Sequence, residues 1–332
     1  MQTNQMKNKI YLTIFALASF CSANATNGVI EINHICATQL GCFSGDSAGY
    51  PITIDGSAGQ SYRLTSNLLL PDGNTNGIDV NAINVAIDLN GFSIMRSNCD
   101  VGVTLCSAGT GTGISVANTA HIQLSVMNGS IAGMGFDGIN NVAGSAQYDD
   151  LKLSWNLNRG IRTGNHSKIS NSNASHNGDS GMQIGEASLA KNNVVAFNGL
   201  NGLSGSEYSI MESNTSNENG QFGIESGIGA VVKNNTVSDN GVHGIWCYDS
   251  MVYQNSVSGN DLDGINALSG CNIKENTILD NGRYGINASP TVSIKMNQLE
   301  KNILIGNVSG SINGTHYFVI DSNFCETNDV CP

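Results

Sequence analysis

Charged residues are scarce in this sequence, and basic residues are the scarcest. Of 332 residues only 12% are charged, and 14 Lys and Arg stand against 26 Asp and Glu, for a net charge of -12. Such acidity argues against nucleic acid as a partner and against the unaided binding of polyanions. It fits neutral partners, cation-bridged partners or solubility alone. Calcium would suit this charge, but no motif supports it, so no cofactor is indicated.

Long apolar runs are missing beyond the first 25 residues. Lys7 and Lys9 precede an apolar run over 10–20, and "ANA" at 23–25 supplies the small residues of a cleavage site. We interpret residues 1–25 as a secretory signal peptide, which is too short to span a bilayer. Its removal leaves 12 basic residues against 26 acidic ones, a net charge of -14. No transmembrane segment is predicted in the rest, so we expect a soluble chain that is secreted or periplasmic.

Cysteine spacings of zinc sites are also missing, since no CxxC or His/Cys pattern occurs, and we predict no metal site. Nine cysteines are present, and eight of them follow residue 25. An even number in a secreted chain indicates disulfides. Three pairs are close in sequence, which predicts the bridges Cys36–Cys42, Cys99–Cys106 and Cys325–Cys331. The remaining two cysteines lie on neighbouring repeats, which predicts the bridge Cys247–Cys271.

Glycine and asparagine are abundant instead, and they recur in a consensus, N-G-x-x-G-I, that marks an internal repeat. Its first residue, the repeat asparagine, recurs every 21 residues with one step of 20, at Asn156, Asn177, Asn198, Asn219, Asn240, Asn260, Asn281 and Asn302. Its second glycine, the repeat glycine, keeps the same spacing, at Gly160, Gly181, Gly202, Gly223, Gly244, Gly264, Gly285 and Gly306. An aliphatic residue follows it in every copy except the last, where Asn307 stands.

Helical repeats are excluded by the density of Gly and Asn and by alternating, β-branched segments such as "AVVKNNTVSD". The leucine pattern of leucine-rich repeats is absent. We therefore predict an all-β, single-domain parallel β-helix of roughly eleven coils, with strands stacked about 4.8 Å apart. Aliphatic residues after the repeat glycines then form one inward stack. A second inward stack is predicted at Val195, Val237, Val257, Ile278 and Leu299.

The repeat asparagines are interpreted as structural. An amide in a dry interior costs roughly 1–3 kcal/mol unless it is hydrogen-bonded, and stacked asparagines can bond to the coils above and below. The glycine that usually follows the asparagine is expected to permit a positive φ in the turn. We assign the β-helix to 61–312, an N-terminal cap to 26–60 and a disulfide-containing C-terminal cap to 313–332, because open coil ends would expose strand edges.

The segment "SYRLTSNLLLPDGNTNGIDVNAINVAIDLNGFSI", followed by the NG-xx-GI copies, resembles the right-handed parallel β-helix superfamily. It is similar to the carbohydrate-binding and sugar-hydrolase type of repeat in NosD-like periplasmic proteins, alginate epimerases and pectin-lyase-like, pectin-degrading enzymes. The resemblance covers about residues 61–312 and implies right-handed coiling, with extracellular polysaccharide or cell-surface glycan as ligand. Of the polygalacturonase signatures only Asp149-Asp150 and His243-Gly244 have counterparts, and the D-P-H-D of alginate epimerases is absent. No activity is inherited from the family.

Outward columns of the predicted coils hold the candidate site. Aromatic residues concentrate there, and sugar rings stack on aromatic faces while polar groups bind their hydroxyls. The predicted binding residues are Phe222, Trp246, Tyr248 and Tyr284. His243 and Asp263 occupy equivalent positions one coil apart, so Asp263 is expected to orient His243 and raise its basicity, with Glu225 as a second acid or base. These last three are the candidate catalytic residues.

A second candidate cluster surrounds Arg162. Together with Arg159, His166 and Lys168 it suits the carboxylate of an acidic sugar through bidentate contacts, although the nearby Asp149-Asp150 can neutralise it.

Two classes of function remain open. One is a polysaccharide-binding or polysaccharide-processing protein, acting by hydrolysis, lyase elimination or epimerisation. The other is a non-catalytic surface or adhesive scaffold, and the sequence indicates no oligomeric state for either.

Overall fold

Each copy of the repeat folds into one coil of three short strands. In the coil that starts at Ile224 these strands are Ile224–Ser226, Val231–Lys233 and Thr236–Ser238. Successive side chains of a strand point to opposite faces. The first residue of the first strand and the central residues of the other two are therefore fully buried. This coil thus sends an aliphatic residue inward from each of its three strands.

The computed structural model describes residues 28–56, 60–99, 102, 105–116, 123–288, 296–315 and 317–326. The predicted signal peptide lies outside these residues. The first elements are β1 (Ile30–Ile32), α1 (His34–Gln39), β2 (Ile52–Ile54), β3 (Ser61–Leu64), β4 (Leu68–Leu70), β5 (Ile78–Val80), β6 (Val85–Asp88), β7 (Ser93–Arg96), β8 (Ile114–Val116), β9 (Leu124–Ala132), β10 (Ile139–Asn141), β11 (Gln147–Ser154) and β12 (Ile161–Thr163). They continue with β13 (Lys168–Ser170), β14 (Asn173–Ser175), β15 (Met182–Ile184), β16 (Leu189–Lys191), β17 (Val194–Ala196), β18 (Leu203–Gly205), β19 (Ile210–Glu212), β20 (Thr215–Asn217), β21 (Ile224–Ser226), β22 (Val231–Lys233), β23 (Thr236–Ser238) and β24 (Ile245–Tyr248). The last strands are β25 (Met251–Tyr253), β26 (Ser256–Ser258), β27 (Ile265–Ser269), β28 (Asn272–Lys274), β29 (Thr277–Leu279), β30 (Tyr284–Asn287), β31 (Asn297–Glu300), β32 (Ile303–Ile305), β33 (Gly310–Asn313), β34 (Tyr317–Asp321) and β35 (Phe324–Cys325).

Stacked coils form three ladders of parallel strands. The first ladder contains twelve strands, β2, β5, β8, β10, β12, β15, β18, β21, β24, β27, β30 and β33. The second ladder runs from β1 and β3 to β34, the third runs from β4 and β7 to β35, and the long strands β9 and β11 belong to both. This confirms the predicted parallel β-helix. It has twelve coils rather than eleven, because β2 precedes the first recognisable repeat glycine.

Aliphatic residues stack along each ladder in the interior. Those that follow the repeat glycines are fully buried, as predicted. On the third ladder the predicted stack runs through Val237, Val257 and Ile278 and then reaches Leu304. Leu299, predicted as its last member, lies on the second ladder instead.

The repeat asparagines form a hydrogen-bonded ladder inside the turn between the third and first ladders. Each Nδ2 donates to the Oδ1 of the asparagine one coil on, at 2.9–3.0 Å. Each Oδ1 also accepts a backbone N–H, as Asn240 does from Asn219 at 3.1 Å. The members are Asn156, Asn177, Asn198, Asn219, Asn240, Asn260, Asn281 and Asn307. The buried amides are therefore satisfied by one another.

Asn302 is not a member of this ladder, and its prediction is wrong. It belongs to a second asparagine ladder, between the second and third strand ladders, made of Asn193, Asn214, Asn235, Asn255, Asn276, Asn302 and Asn323. The two asparagines of one coil are five residues apart, as Asn276 and Asn281 are. The step from Asn281 to Asn307 is 26 residues, five more than usual. A step of 21 therefore reaches the other ladder, and the missing aliphatic residue at Asn307 was the signal.

Where a glycine follows the repeat asparagine, it packs closely against the preceding coil. The positive φ of this turn lies at the residue before the asparagine, at 56° for Phe197 and 53° for Glu218. A Cβ at Gly199 or Gly220 would overlap the carbonyl oxygen of the equivalent glycine one coil earlier. The expected positive φ at these glycines is therefore wrong. At Gly199 and Gly220 the coils approach too closely for a Cβ unless the backbone shifts.

Both segments assigned to caps contribute strands to the ladders. Within 26–60, β1 pairs with β3 and β2 pairs with β5. Within 313–332, β34 pairs with β31 and β35 pairs with β32. Helix α1 follows β1, and its N-cap Asn33 accepts the N–H of Cys36 at 2.9 Å. Short strands without a repeat glycine were not recognisable in the sequence, so the ladders extend beyond 61–312.

Disulfides join Cys36 to Cys42, Cys99 to Cys106 and Cys247 to Cys271. The last bridge is fully buried and joins β24 to the segment just before β28, which belongs to the next coil. Cys325 is disulfide-bonded, but Cys331 lies outside the described residues, so their pairing stays a prediction. No helix in the described ranges is long and apolar enough to cross a membrane.

Candidate functional site

The outward face of the first ladder carries a column of side chains in register. Ser204, Glu225, Trp246, Asn266 and Asn287 are partners on consecutive coils, from β18 to β30. The first four are partly exposed. The predicted residues Glu225 and Trp246 therefore stand directly beside each other.

Phe222, His243 and Trp246 form a stack of rings along this column. The rings of Phe222 and His243 lie 5.6 Å apart between centroids with planes 21° apart, and those of Phe222 and Trp246 lie 6.1 Å apart with planes 11° apart. Offset parallel rings at such distances attract each other. The next residue in the column after Trp246 is the shorter Asn266. Trp246 therefore ends the stack, and within the described ranges no ring covers the far face of its indole.

Residues just before the repeat glycines have a structural task that the sequence did not reveal. Their side chains accept the backbone N–H of the equivalent residue one coil on, at 2.8–3.2 Å. The acceptors are Asn76, Asp137, Asn201, His243 and Asp263. A buried N–H without an acceptor costs about 1–3 kcal/mol. His243 and Asp263 are therefore parts of the scaffold as well as candidate site residues.

His243 is nearly buried, with 7% of its surface exposed. Its Nδ1 accepts the N–H of Asp263 at 3.2 Å and lies 3.4 Å from Asp263 Oδ2, while Nε2 lies 2.8 Å from Asn266 Nδ2. Burial lowers the pKa of His243 below its ordinary value; the charge of Asp263 opposes this shift, and the charge of Arg283 reinforces it. The expected rise in basicity is therefore wrong, because burial outweighs the attraction of Asp263.

Asp263 is fully buried and paired with Arg283, a residue that the sequence analysis missed. Arg283 Nε donates to Oδ1 at 2.7 Å, and Nη2 donates to Oδ2. The backbone N–H of Tyr284 and the Nδ2 of Asn287 also donate to this carboxylate, at 3.2 and 3.0 Å. Four donors thus neutralise Asp263. Arg283 directly precedes Tyr284, the equivalent of Asp263 one coil of 21 residues later, and this position could have revealed it.

Glu225 turns toward the preceding coils. Its Oε2 accepts hydrogen bonds from Asn201 Nδ2 and Ser204 Oγ, both at 2.8 Å. Across the described part of the chain, no hydrogen bond or ion pair joins it to His243 or Asp263. The three candidate catalytic residues occupy neighbouring coils but do not form one hydrogen-bonded group.

The remaining predicted binding residues, Tyr284, Tyr248 and Arg162, are not members of the ring stack. Tyr284 is partly exposed, with the guanidinium of Arg283 lying 5.7 Å from its ring centre. Tyr248 ends β24 and is 38% exposed. Arg162 lies in the column of Trp246 but four coils earlier, which is about 19 Å at 4.8 Å per coil. Arg162 and the ring stack share a face of the helix but not a pocket.

The chemistry of this region favours binding over proton transfer. A general base needs a free lone pair near its substrate. The Nδ1 lone pair of His243 already accepts the backbone N–H of Asp263, so the neutral ring carries its proton on Nε2 and has no free lone pair. Glycoside hydrolysis uses two carboxyl groups with opposite roles, and here Asp263 is held by Arg283. No group of three His, Cys, Asp or Glu side chains in the described segments could hold a metal ion. What remains is an aromatic surface bordered by amide, hydroxyl and carboxylate groups.

Another aromatic stack, also missed in the sequence, lies at a different corner of the coil. Trp155, His176 and Phe197 stack with centroids 4.6 and 4.9 Å apart and planes 14° and 19° apart. Each occupies the positive-φ position before a repeat asparagine. The faces of His176 are covered by its neighbours, so this stack holds three coils together. It supplies a control for Trp246.

Neither a protein-family profile nor a curated protein sequence matches the chain. Among solved structures, the A-module of the mannuronan C-5 epimerase AlgE6 of Azotobacter vinelandii superposes with a TM-score of 0.53 at 14% identity, over 81% of this chain and 88% of that one. The Dettilon tailspike protein gp208 superposes with a TM-score of 0.55 at 14% identity, over 78% of this chain and 58% of that one. The fold is a right-handed parallel β-helix. The handedness predicted for this chain is thereby confirmed, and at such low identity the likeness shows the fold alone.

Proposed function

We propose that this chain binds polysaccharide along the outward face of the first ladder, with Trp246 as the central contact. The observation that carries this proposal is the stack of Phe222, His243 and Trp246, which ends in a partly exposed indole with no ring of the described residues on its far side. The C–H face of a sugar ring stacks on such an aromatic surface, while a few polar groups fix its orientation.

Polar groups border Trp246 on both sides along the helix axis. Ser204 and Glu225 precede it in the column and Asn266 follows it. All three are partly exposed. Because the coils before and after Trp246 each carry a polar residue in this column, a saccharide chain lying along the axis would meet polar side chains on both sides of the indole, with about 4.8 Å between coils. An extended polymer fits this spacing better than a small compact ligand.

The fold supports the same class of ligand. One of the structures that share it is named a mannuronan C-5 epimerase, so the architecture serves a polysaccharide-acting protein. Disulfides such as Cys247–Cys271 suit an oxidising compartment. Together with the predicted signal peptide they make a secreted or periplasmic location part of this proposal. The role of Trp246 rests on its own geometry, because 14% identity transfers no residue.

Binding without catalysis is the form of this function that the site favours. His243 and Asp263 are engaged in the scaffold and Glu225 is turned away from them. Hydrolysis, lyase elimination and epimerisation each need a proton donor or acceptor free to reach the sugar. The same assay that detects binding therefore includes a readout for hydrolysis and elimination.

A non-catalytic adhesive or structural scaffold is the second candidate. The two asparagine ladders favour it, because they satisfy buried amides over most coils and make a rigid rod without any ligand. In that case Trp246 would only cover the neighbouring strand. The two candidates differ in whether Trp246 contacts sugar.

Retention on immobilised polygalacturonate, mannuronan and dextran, with and without calcium, tests the proposal. Trp246→Ala removes the indole, and Trp155→Ala, at the only other tryptophan, is the control, because Trp155 lies in the other ring stack at a different corner of the coil. We expect Trp246→Ala to weaken retention about tenfold, which corresponds to about 1.4 kcal/mol, and Trp155→Ala to leave it unchanged. New reducing ends and ultraviolet absorbance of unsaturated products report hydrolysis and elimination. No retention of the unaltered chain, or equal losses in both variants, contradicts the proposal.

A further inference from the structure

A groove follows the outward face of the second ladder, on a different face from Trp246. Two adjoining concavities of about 600 and 570 Å³ form it, and both volumes fall in the range of ligand sites. They share Ser125, Gln147 and Lys168, which are register partners on β9, β11 and β13. The groove therefore runs along the helix axis over at least three coils.

Two lysines line this groove, although the molecule as a whole is acidic. Lys168 is exposed, and no ion pair joins it to any residue that the structure describes. Lys191 lines the same groove and pairs with Glu212 at 3.4 Å. Asp149 is the one carboxylate in the described lining, and its Oδ1 already accepts two hydrogen bonds of 2.8 Å from the next coil. The groove thus presents an unpaired cation in a chain of net charge -12.

We propose that this groove binds the anionic group of an acidic saccharide, a carboxylate or a sulfate, on Lys168. The ammonium group supplies the countercharge, and a charge-assisted hydrogen bond is the stronger kind. Ser125 and Gln147 present hydroxyl and amide groups to the sugar hydroxyls on the two preceding coils, and Leu189 offers an apolar surface on the next. The saccharide class rests on the proposed function, but the site itself shares no residue with the Trp246 face.

Polygalacturonate and its methyl ester are the probes, because they differ mainly in charge. Isothermal titration with the mature chain compares Lys168→Gln, Trp246→Ala and Lys274→Gln at about 50 and about 200 mM NaCl. Lys274→Gln is the matched control. Lys274 lies on the outward side of β28 in the same ladder, outside the groove, with its Nζ 5.5 Å from the ring centre of Tyr253.

We expect Lys168→Gln to bind polygalacturonate about fivefold more weakly, a loss of about 1 kcal/mol, with less dependence on salt. Lys168→Gln should bind the methyl ester as tightly as the unaltered chain does. Lys274→Gln should bind both polymers with unchanged affinity. If Trp246→Ala loses binding while Lys168→Gln binds as the unaltered chain does, the inference is overturned and the proposed function stands. If only Lys168→Gln loses binding, the inference stands and the proposed function fails. Equal affinity for both polymers in every variant, or binding of neither, overturns the inference.

Discussion

Replacing Arg283 with methionine should leave the carboxylate of Asp263 buried without its cation. Asp263 has no exposed surface, and Arg283 donates to both of its oxygens. Methionine keeps an unbranched side chain of similar length and removes the guanidinium group, which also lies 5.7 Å from the ring centre of Tyr284. The substitution therefore isolates the electrostatic part of the contact.

The structure sets the size of the expected effect. Breaking a buried ion pair by removing one partner costs about 3–5 kcal/mol. Tyr284 N–H and Asn287 Nδ2 still donate to Asp263 in the variant, and the Arg283 side chain is 38% exposed. Both facts reduce the expected loss, so we expect the free energy of unfolding to fall by about 3 kcal/mol, the lower limit of that range.

Urea unfolding followed by tryptophan fluorescence and circular dichroism measures this loss. Arg63→Met is the control, because Arg63 pairs with Asp88 at 3.3 Å while 47% of its side chain is exposed, and such pairs contribute at most about 1 kcal/mol. Asp263→Asn combined with Arg283→Met should recover part of the loss, since the buried charge is then gone. A midpoint for Arg283→Met no lower than that of Arg63→Met, at similar cooperativity, would refute the reasoning.

Three further outcomes are expected. Asn240→Ala should lower the free energy of unfolding by about 3 kcal/mol, because it leaves buried donors of Asn219 unpaired; a loss equal to that of the exposed Asn165→Ala would contradict the ladder account. Burial lowers the pKa of folded His243, so the unfolded chain takes up that proton first and stability should fall as the pH drops below about 6.5. His243→Gln should lack this component in urea titrations across that range, and an unchanged pH dependence would count against the buried neutral ring. Non-reducing peptide mapping should recover Cys247 linked to Cys271, whereas free thiols there would disprove the bridge.

Most of the architecture could be predicted from the spacing of asparagine, glycine and isoleucine. Each coil of a solenoid contacts only its neighbours, so one local solution repeats along the chain. The same regularity led to wrong assignments in the last coils. There the coil is five residues longer, and five residues is also the separation in sequence between the two asparagines of one coil. Asn302 and Leu299 were consequently assigned to the wrong ladders. The first and last strands escaped prediction because they lack the repeat glycine.

The candidate site could be predicted only as a set of neighbours. Register alone brings His243 beside Asp263 and Glu225 beside Trp246. Spacing does not determine where a side chain turns, so the hydrogen bonds of Glu225 to the preceding coils and the pairing of Asp263 with Arg283 were not foreseen. The direction of the His243 pKa shift depends on burial and on that unforeseen arginine.

A fluorescence titration tests the central claim, sugar contact at Trp246, most directly. Trp155→Phe leaves Trp246 as the one tryptophan of the chain, and Trp246→Phe leaves Trp155. Added polysaccharide should shift the emission of the first variant in a saturable way, because the sugar covers the indole face, and should leave the second unchanged. Unchanged emission from Trp246 while the chain is retained on the same polymer would contradict the claim.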